Sequence, residues 1–135
     1  VFIGPCLAKR HEADSVDEVD YVMSFEELGA FMVAYDIDVA NCSEKELNHE
    51  VTKYGRGFAQ AGGVQAAVVN AIGDKYSNIH IEGLDKKNQA LLKSMAKKPD
   101  AQFVEVMACD GGCINGPCSL APLTLAKRQI KKVLE

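Results

Sequence analysis

No apolar run in this 135-residue chain is long enough to cross a bilayer as a helix, and no targeting motif or secretory leader is visible. These absences lead to the expectation of a cytoplasmic, reducing setting with no membrane partner. An excess of positive charge is missing too: 15 Lys and Arg face 19 Asp and Glu, for a net charge of -4. That balance argues against nucleic acid or an anionic lipid surface as the main partner. No internal repeat, low-complexity tract or interdomain linker interrupts the chain, so a single domain over 1–135 is expected. An initiator methionine is also absent, and Val1-Phe-Ile-Gly-Pro5 reads at once as a strand. The expectation is an excerpt of a longer protein.

Apolar residues make up 47% of the chain, enough for a core that needs no disulfides. In a reducing setting the five cysteines, Cys6, Cys42, Cys109, Cys113 and Cys118, then point to ligation or redox chemistry rather than to covalent bridges. Three of them fall within ten residues, Cys109-Asp-Gly-Gly-Cys113-Ile-Asn-Gly-Pro-Cys118, immediately after the strand-like Phe103-Val-Glu-Val-Met-Ala108. Gly111, Gly112 and Gly116 allow sharp turns, close approach to a bulky group, and amides aimed at sulfur or anionic oxygen. A thiolate-rich loop of this kind suits iron-sulfur or zinc rather than calcium or magnesium. The alternative is that these are inert buried thiols, since free cysteine behaves as a small hydrophobe.

Elsewhere the pattern alternates strand and helix. Val19 to Met23 reads as a second strand, and Ser24-Phe-Glu-Glu27 is a capping box opening a helix with Leu28, Phe31, Met32 and Tyr35 on one side. Ser43-Glu-Lys-Glu46 is a weaker helix start in a polar stretch from Asp36 to Tyr54. Gly55, Gly57, Gly62 and Gly63 precede an alanine-rich helix from Val64 to Ile72; either its N-terminus attracts an anion, or the glycines serve only a tight turn and close packing. Asn78 to Glu82 is the third predicted strand, Asp85 caps a helix to Lys98, Phe103 to Ala108 is the fourth strand, and Leu120 to Leu134 closes as an amphipathic helix.

This rhythm predicts an α/β fold with a mainly parallel four-stranded sheet flanked by helices. With a strand order of 2-1-4-3, the ends of strands one and four become neighbours and Cys6 meets Cys109 and Cys113 at one edge.

Two stretches carry a resemblance. Pro5-Cys6-Leu-Ala-Lys9-Arg-His-Glu12 resembles the P-C-x-x-K-x-x-E signature of iron-iron hydrogenases, and Glu105-Val-Met107-Ala-Cys109-Asp-Gly-Gly-Cys113 resembles their E-x-M-A-C-x-x-G-C signature, in the family's order. Asp20 to Leu28 and Ala61 to Val64 resemble segments found between them. The resemblance implies one lobe of the hydrogenase catalytic domain. It implies a 4Fe-4S cluster held by Cys6, Cys109, Cys113 and a fourth cysteine from an upstream part of the same polypeptide, with Gly111 and Gly112 shaping the binding loop. Cys113 would bridge to a two-iron subcluster, completing the H-cluster. Lys9 would lie near a cyanide ligand of that subcluster and Met107 would pack against it. Glu12 would orient Lys9 or the loop, or form an exposed ion pair on a helix. His11 receives no role.

The departures matter as much. No segment resembles the family's T-S-C-C-P signature, so this stretch is not expected to make the full active site alone; Gly4 stands where catalytic members carry methionine, and Ile114-Asn-Gly-Pro-Cys118 stands where they carry a run of glycines followed by Gln-Pro. Gly4 is expected to leave that side of the subcluster open. Such changes resemble the divergent sensory members, joined to signalling or electron-transfer domains, and lead to the expectation of hydrogen or redox sensing with weak or no turnover. A catalytic hydrogenase and a non-catalytic structural or interaction module are the alternatives. Cys118 is either a thiol for proton transfer or redox sensing near the cluster or an ordinary loop thiol, and Cys42 is incidental. The isolated fragment is expected to be inactive, to lack the cluster and to self-associate through an exposed apolar face.

Overall fold

The computed structural model describes residues 1–46 and 51–134, which fall into two compact units: 1–46 with 116–120, and 51–115 with 121–134.

In the first unit, β1 (Phe2–Ile3) pairs in parallel with β2 (Val22–Met23), Phe2 opposite Val22 and Ile3 opposite Met23. The Gly4 amide extends the pairing to the Met23 carbonyl at 3.0 Å. Pro5 follows, and a residue without an N–H whose φ is fixed cannot prolong the ladder. Both strands are therefore shorter than the predicted five residues. The chain turns into α1 (Ala8–Ala13), a helix that entered the sequence reading only through the ion pair weighed for Glu12. Helix α2 (Phe25–Ala34) begins as predicted: Ser24 Oγ accepts the Glu27 amide and the Glu27 carboxylate accepts the Ser24 amide, the reciprocal capping box. Of its expected apolar side, Leu28 and Met32 are half-buried, whereas Phe31 and Tyr35 lie exposed with ring centroids 4.6 Å apart. The helix that Ser43 would open runs into 47–50, outside the described residues.

The second unit starts with α3 (Lys53–Arg56), capped by the Thr52 hydroxyl, a short helix that the polar composition concealed. It leads through a 3-10 turn at Gly57–Ala59 to α4 (Gly63–Ile72). Strands β3 (Asn78–Glu82) and β4 (Phe103–Met107) pair in parallel along their full length, from Asn78 opposite Phe103 to Glu82 opposite Met107. Helix α4 packs on both strands. Asp85 caps α5 (Lys86–Met95), its carboxylate accepting the Asn88 amide at 2.7 Å. That helix stops short of Lys98, because Pro99 disfavours helical backbone just before it. Helix α6 (Leu123–Leu134) starts after Pro122, whose carbonyl takes the Leu125 and Ala126 amides at 3.0 Å, rather than at Leu120.

The α/β class and the parallel pairings agree with the sequence. The single four-stranded sheet does not: among the described residues the pairing runs as two two-stranded sheets, β1-β2 and β3-β4. A two-residue β1 offers few backbone groups to a further strand, so alternation of strand and helix fixed the type of pairing and not its extent. The apolar core is small. Among the described residues only Ile81 and Met95 are buried hydrophobics, while Val33, Tyr21 and Leu120 stand well exposed.

Candidate cluster-ligand loops

The first unit carries Cys6 on the turn between β1 and α1. The thiol is free and half-buried, and the Cys6 carbonyl accepts the Lys9 amide at 3.3 Å. Lys9 Nζ lies 2.6 Å from Glu12 Oε2 on the next turn of α1 and 5.7 Å from the centroid of the Phe2 ring. The Lys9–Glu12 pair is exposed, the geometry of an ordinary i,i+3 surface ion pair. His11 approaches Asp14 at 3.8 Å and is almost fully exposed. Cys118 belongs to this unit: its amide donates to the Pro5 carbonyl at 3.0 Å, which ties residue 118 to the turn that bears Cys6.

A Cβ on Gly4 would lie 2.9 Å from Phe2 Cε1, so the Phe2 ring fills the space that a side chain would take. Gly4 is buried under the ring two residues before it, on the same side of the strand.

The second unit carries Cys109 and Cys113, both half-buried. Past Met107 the Cys109 carbonyl accepts the Gly112 amide at 3.1 Å, closing a four-residue turn whose third residue, Gly111, has φ 82°. A type II turn requires that angle, which glycine adopts without steric cost. Gly112 follows at φ 88°, its carbonyl accepts the Asn115 amide at 3.1 Å, and Cys113–Asn115 form a 3-10 turn. Two successive turns thus separate the thiols.

Three anchors hold this loop. The Glu82 carboxylate, at the end of β3, accepts the Gly111 amide at 2.8 Å. The Gly111 carbonyl accepts the Ala61 amide at 3.2 Å, and Gln60 bridges Gly112. Asn115 Nδ2 donates to the Asp110 carbonyl at 2.9 Å. At Gly112 the close approach is to protein backbone, where a Cβ would stand 2.5 Å from the Ala61 nitrogen, and at Gly111 it is to the Leu123 side chain at 2.7 Å.

The glycine-opened helix is settled in a way that joins both sequence readings. Gly62, at φ 80°, offers α4 no side-chain cap, and a Cβ on Gly63 would fall 1.9 Å from the Gly57 carbonyl oxygen. The anion at the helix start is internal: the carboxylate of Glu105, buried in β4, accepts the amides of Val64 at 3.3 Å and Gln65 at 3.4 Å. Glu105 entered the sequence reading only as a letter of a signature, and Glu82 only as a strand end. No local signal marks either role, since their partners lie 41 and 29 residues away.

Met107 is half-buried at the end of β4, where its carbonyl accepts the Gly83 amide at 3.0 Å. Among the described residues no three His, Cys, Asp or Glu side chains stand together as a metal site, and Cys6 belongs to one unit while Cys109 and Cys113 belong to the other. By donor chemistry the two thiols of the second unit fit a thiolate-bound iron centre, whose soft metal prefers sulfur. Cys42 is exposed, with its thiol 3.3 Å from the Asp38 carbonyl. No helix among the described residues is long and apolar enough to cross a membrane.

Electrostatically, Glu27 stands out. The Ser24 amide first, and then the Arg10 guanidinium, hold its carboxyl below the ordinary value of 4.5.

Comparison with known proteins agrees with the two signatures. A family model described as iron only hydrogenase large subunit, C-terminal domain, matches residues 1–117, a span that includes Cys6, Cys109 and Cys113. Iron hydrogenase 1 of Clostridium pasteurianum is 36% identical over 73 residues, which cover 53% of this chain and 13% of that protein. The chain therefore corresponds to a small part of that relative's length. With the glycine-turned thiol loop at the end of β4 and a match over most of its length, the chain belongs to the family of the iron only hydrogenase large subunit, C-terminal domain.

Proposed function

We propose that this chain is the part of an iron-iron hydrogenase-like protein that supplies three cysteines to its cluster, and that the protein senses hydrogen or redox state with weak or no turnover. In this reading Cys6, Cys109 and Cys113 bind a 4Fe-4S cluster, with the fourth cysteine coming from an upstream part of the same polypeptide. Cys113 would also serve a two-iron subcluster, as the family resemblance implies. When bound, such a cluster supplies electron storage and the metal chemistry of hydrogen, while the protein sets access, potential and proton delivery.

The observation that carries this reading is the family match over residues 1–117, with Cys109 and Cys113 on a loop fixed by two positive-φ glycines. The sensory part rests on the departures from the catalytic pattern. Pro117 removes an amide, and Cys118, whose amide holds the Pro5 carbonyl, adds a thiol to the unit that bears Cys6. Lys9 is engaged by Glu12 and Phe2, so service to an anionic metal ligand requires it to leave that exposed pair, an inexpensive move. Met107 packs toward the centre and excludes water from it. Signalling or electron-transfer domains are the partners of this reading, and a cytoplasmic setting suits its cysteines.

The deciding experiment is iron, acid-labile sulfide and zinc content, with an electron paramagnetic resonance spectrum, on the protein after anaerobic reconstitution and maturation. Wild type is compared with Cys109→Ala. Iron beyond four per site that the variant loses supports the hydrogenase-like cluster, and hydrogen turnover then separates catalysis from sensing. Zinc, or no metal, sinks the reading and leaves a structural module.

A further inference from the structure

The loop between Cys109 and Cys113 has one charged anchor. Glu82 Oε2 accepts the amide of Gly111, which lies two residues from each thiol, at 2.8 Å. The anchor is itself pinned. Asn88 Nδ2 donates to the Glu82 carbonyl at 2.9 Å and to the Gly83 carbonyl at 2.8 Å, while Glu82 pairs in register with Met107 at the end of β4. A carboxylate leaving a fixed strand end toward a backbone amide makes a charge-assisted bond, stronger than one between neutral groups.

We infer that Glu82 is a positioning residue for the cluster-ligand loop: its carboxylate fixes the peptide at Gly111 and so the separation at which Cys109 and Cys113 present their sulfurs. The inference rests on the reading of those two thiols as ligands. Three features favour positioning over a role in holding the strand. The other anchors grip other groups, Ala61 the Gly111 carbonyl, Gln60 Gly112, and Asn115 Nδ2 the Asp110 carbonyl of the same peptide, leaving the Gly111 amide to Glu82. The strand pairing of Glu82 uses its backbone and leaves the side chain free to reach the loop. Glu82 and Gly111 also line a cleft of about 390 Å³ with His80, Lys127 and Lys131, so water can replace a lost carboxylate without unfolding β3. Loss of the side chain should therefore loosen the loop and leave the sheet intact.

The test is amide hydrogen exchange, read by mass spectrometry on the metal-free 135-residue chain, for wild type, Glu82→Ala and Glu82→Gln. Iron retained after anaerobic reconstitution is measured in parallel on the longer polypeptide that supplies the fourth cysteine. In the alanine variant, exchange in peptides spanning 109–113 should rise by about tenfold, the worth of one hydrogen bond to a charged acceptor. Exchange in β3 and β4 should not change. The glutamine variant, whose amide oxygen still accepts from Gly111, should recover most of the protection. Asn88→Ala, which frees the backbone of Glu82 but keeps its carboxylate, should give a smaller rise. Unchanged loop exchange in Glu82→Ala overturns the inference, as does a uniform rise across both strands, which would make Glu82 a strand residue. The exchange result decides for or against Glu82 whether or not iron binds. A longer polypeptide, carrying the upstream cysteine, that takes up no iron counts against the cluster reading alone.

Discussion

Glu105 on β4 caps a helix that begins 41 residues earlier in the chain, its carboxylate accepting the Val64 amide at 3.3 Å. It takes the Gln65 amide as well, at 3.4 Å, and is 5% exposed. Gly62 at the cap position has no side chain to do this, so strand β4 supplies the oxygen that helix α4 lacks. Glu105→Gln keeps an acceptor and loses the charge at the helix start, which costs about 0.3–1 kcal/mol. Glu105→Ala strands two amides and should cost on the order of 1–3 kcal/mol for each that water cannot reach. Chemical denaturation should rank wild type above Gln and Gln above Ala; an alanine variant as stable as wild type would remove the cap from the account.

Gly112→Ala should damage the fold more than any exposed substitution. A methyl there would stand 2.5 Å from the Ala61 nitrogen and 2.8 Å from the Ala59 carbonyl oxygen, at a φ of 88°. Backbone on both sides cannot retreat as a side-chain tip can. Strain of this kind costs roughly 1–3 kcal/mol before the clash is counted. Thermal unfolding monitored by circular dichroism checks it, with Gly29→Ala, where nothing lies within 4 Å, as the reference.

The start of α2 should loosen in acid. Glu27 holds its carboxyl below the ordinary 4.5 because the Ser24 amide, and then Arg10, stabilise the charged form. A lowered folded value means that its contribution is fully present above 4.5 and is lost as pH falls through the folded value. Glu27→Gln should flatten that dependence. Exchange of the Ser24 amide followed from neutral to acid pH is the measurement, and an identical profile in both proteins would sink the idea.

Gly4→Met, the residue that the family resemblance leads one to expect there in catalytic members, should displace the Phe2 ring. The nearest ring carbon lies 2.9 Å from the new Cβ, and crowding of this kind costs about 1–3 kcal/mol. Pairing the change with Phe2→Ala should recover part of the loss. Additive costs in that double-mutant cycle would show that the two positions do not share the space.

Cys118→Ala should leave the fold intact, because the backbone amide of residue 118, and not its thiol, holds the Pro5 carbonyl at 3.0 Å. Cys118→Pro deletes that donor and should destabilise the turn bearing Cys6. Comparison of the two variants by denaturation separates thiol from amide; a role for the thiol in sensing would appear only as an altered hydrogen response of the alanine variant.

Much of this molecule was legible in short windows of sequence. Ser24 and Glu27 are three residues apart, a distance over which a helix start specifies itself, and the capping box formed as read. Asp85 and the β-branched run from Asn78 to Glu82 were equally local. Proline explains where local reading overshot: Pro5, Pro99 and Pro122 each end or delay an element that hydrophobic pattern alone would prolong.

The sequence by itself determined the α/β rhythm, the spacing of Cys109 and Cys113, and the glycines that the thiol loop requires, because each depends on neighbours along the chain. Only the tertiary structure decided that Glu105 caps α4, that Glu82 holds Gly111, that Phe2 fills the space at Gly4, and that the strands pair as two sheets. Three of these join a side chain or ring to a backbone position chosen by the fold. A carboxylate in the sequence carries no mark of which distant amide it will meet.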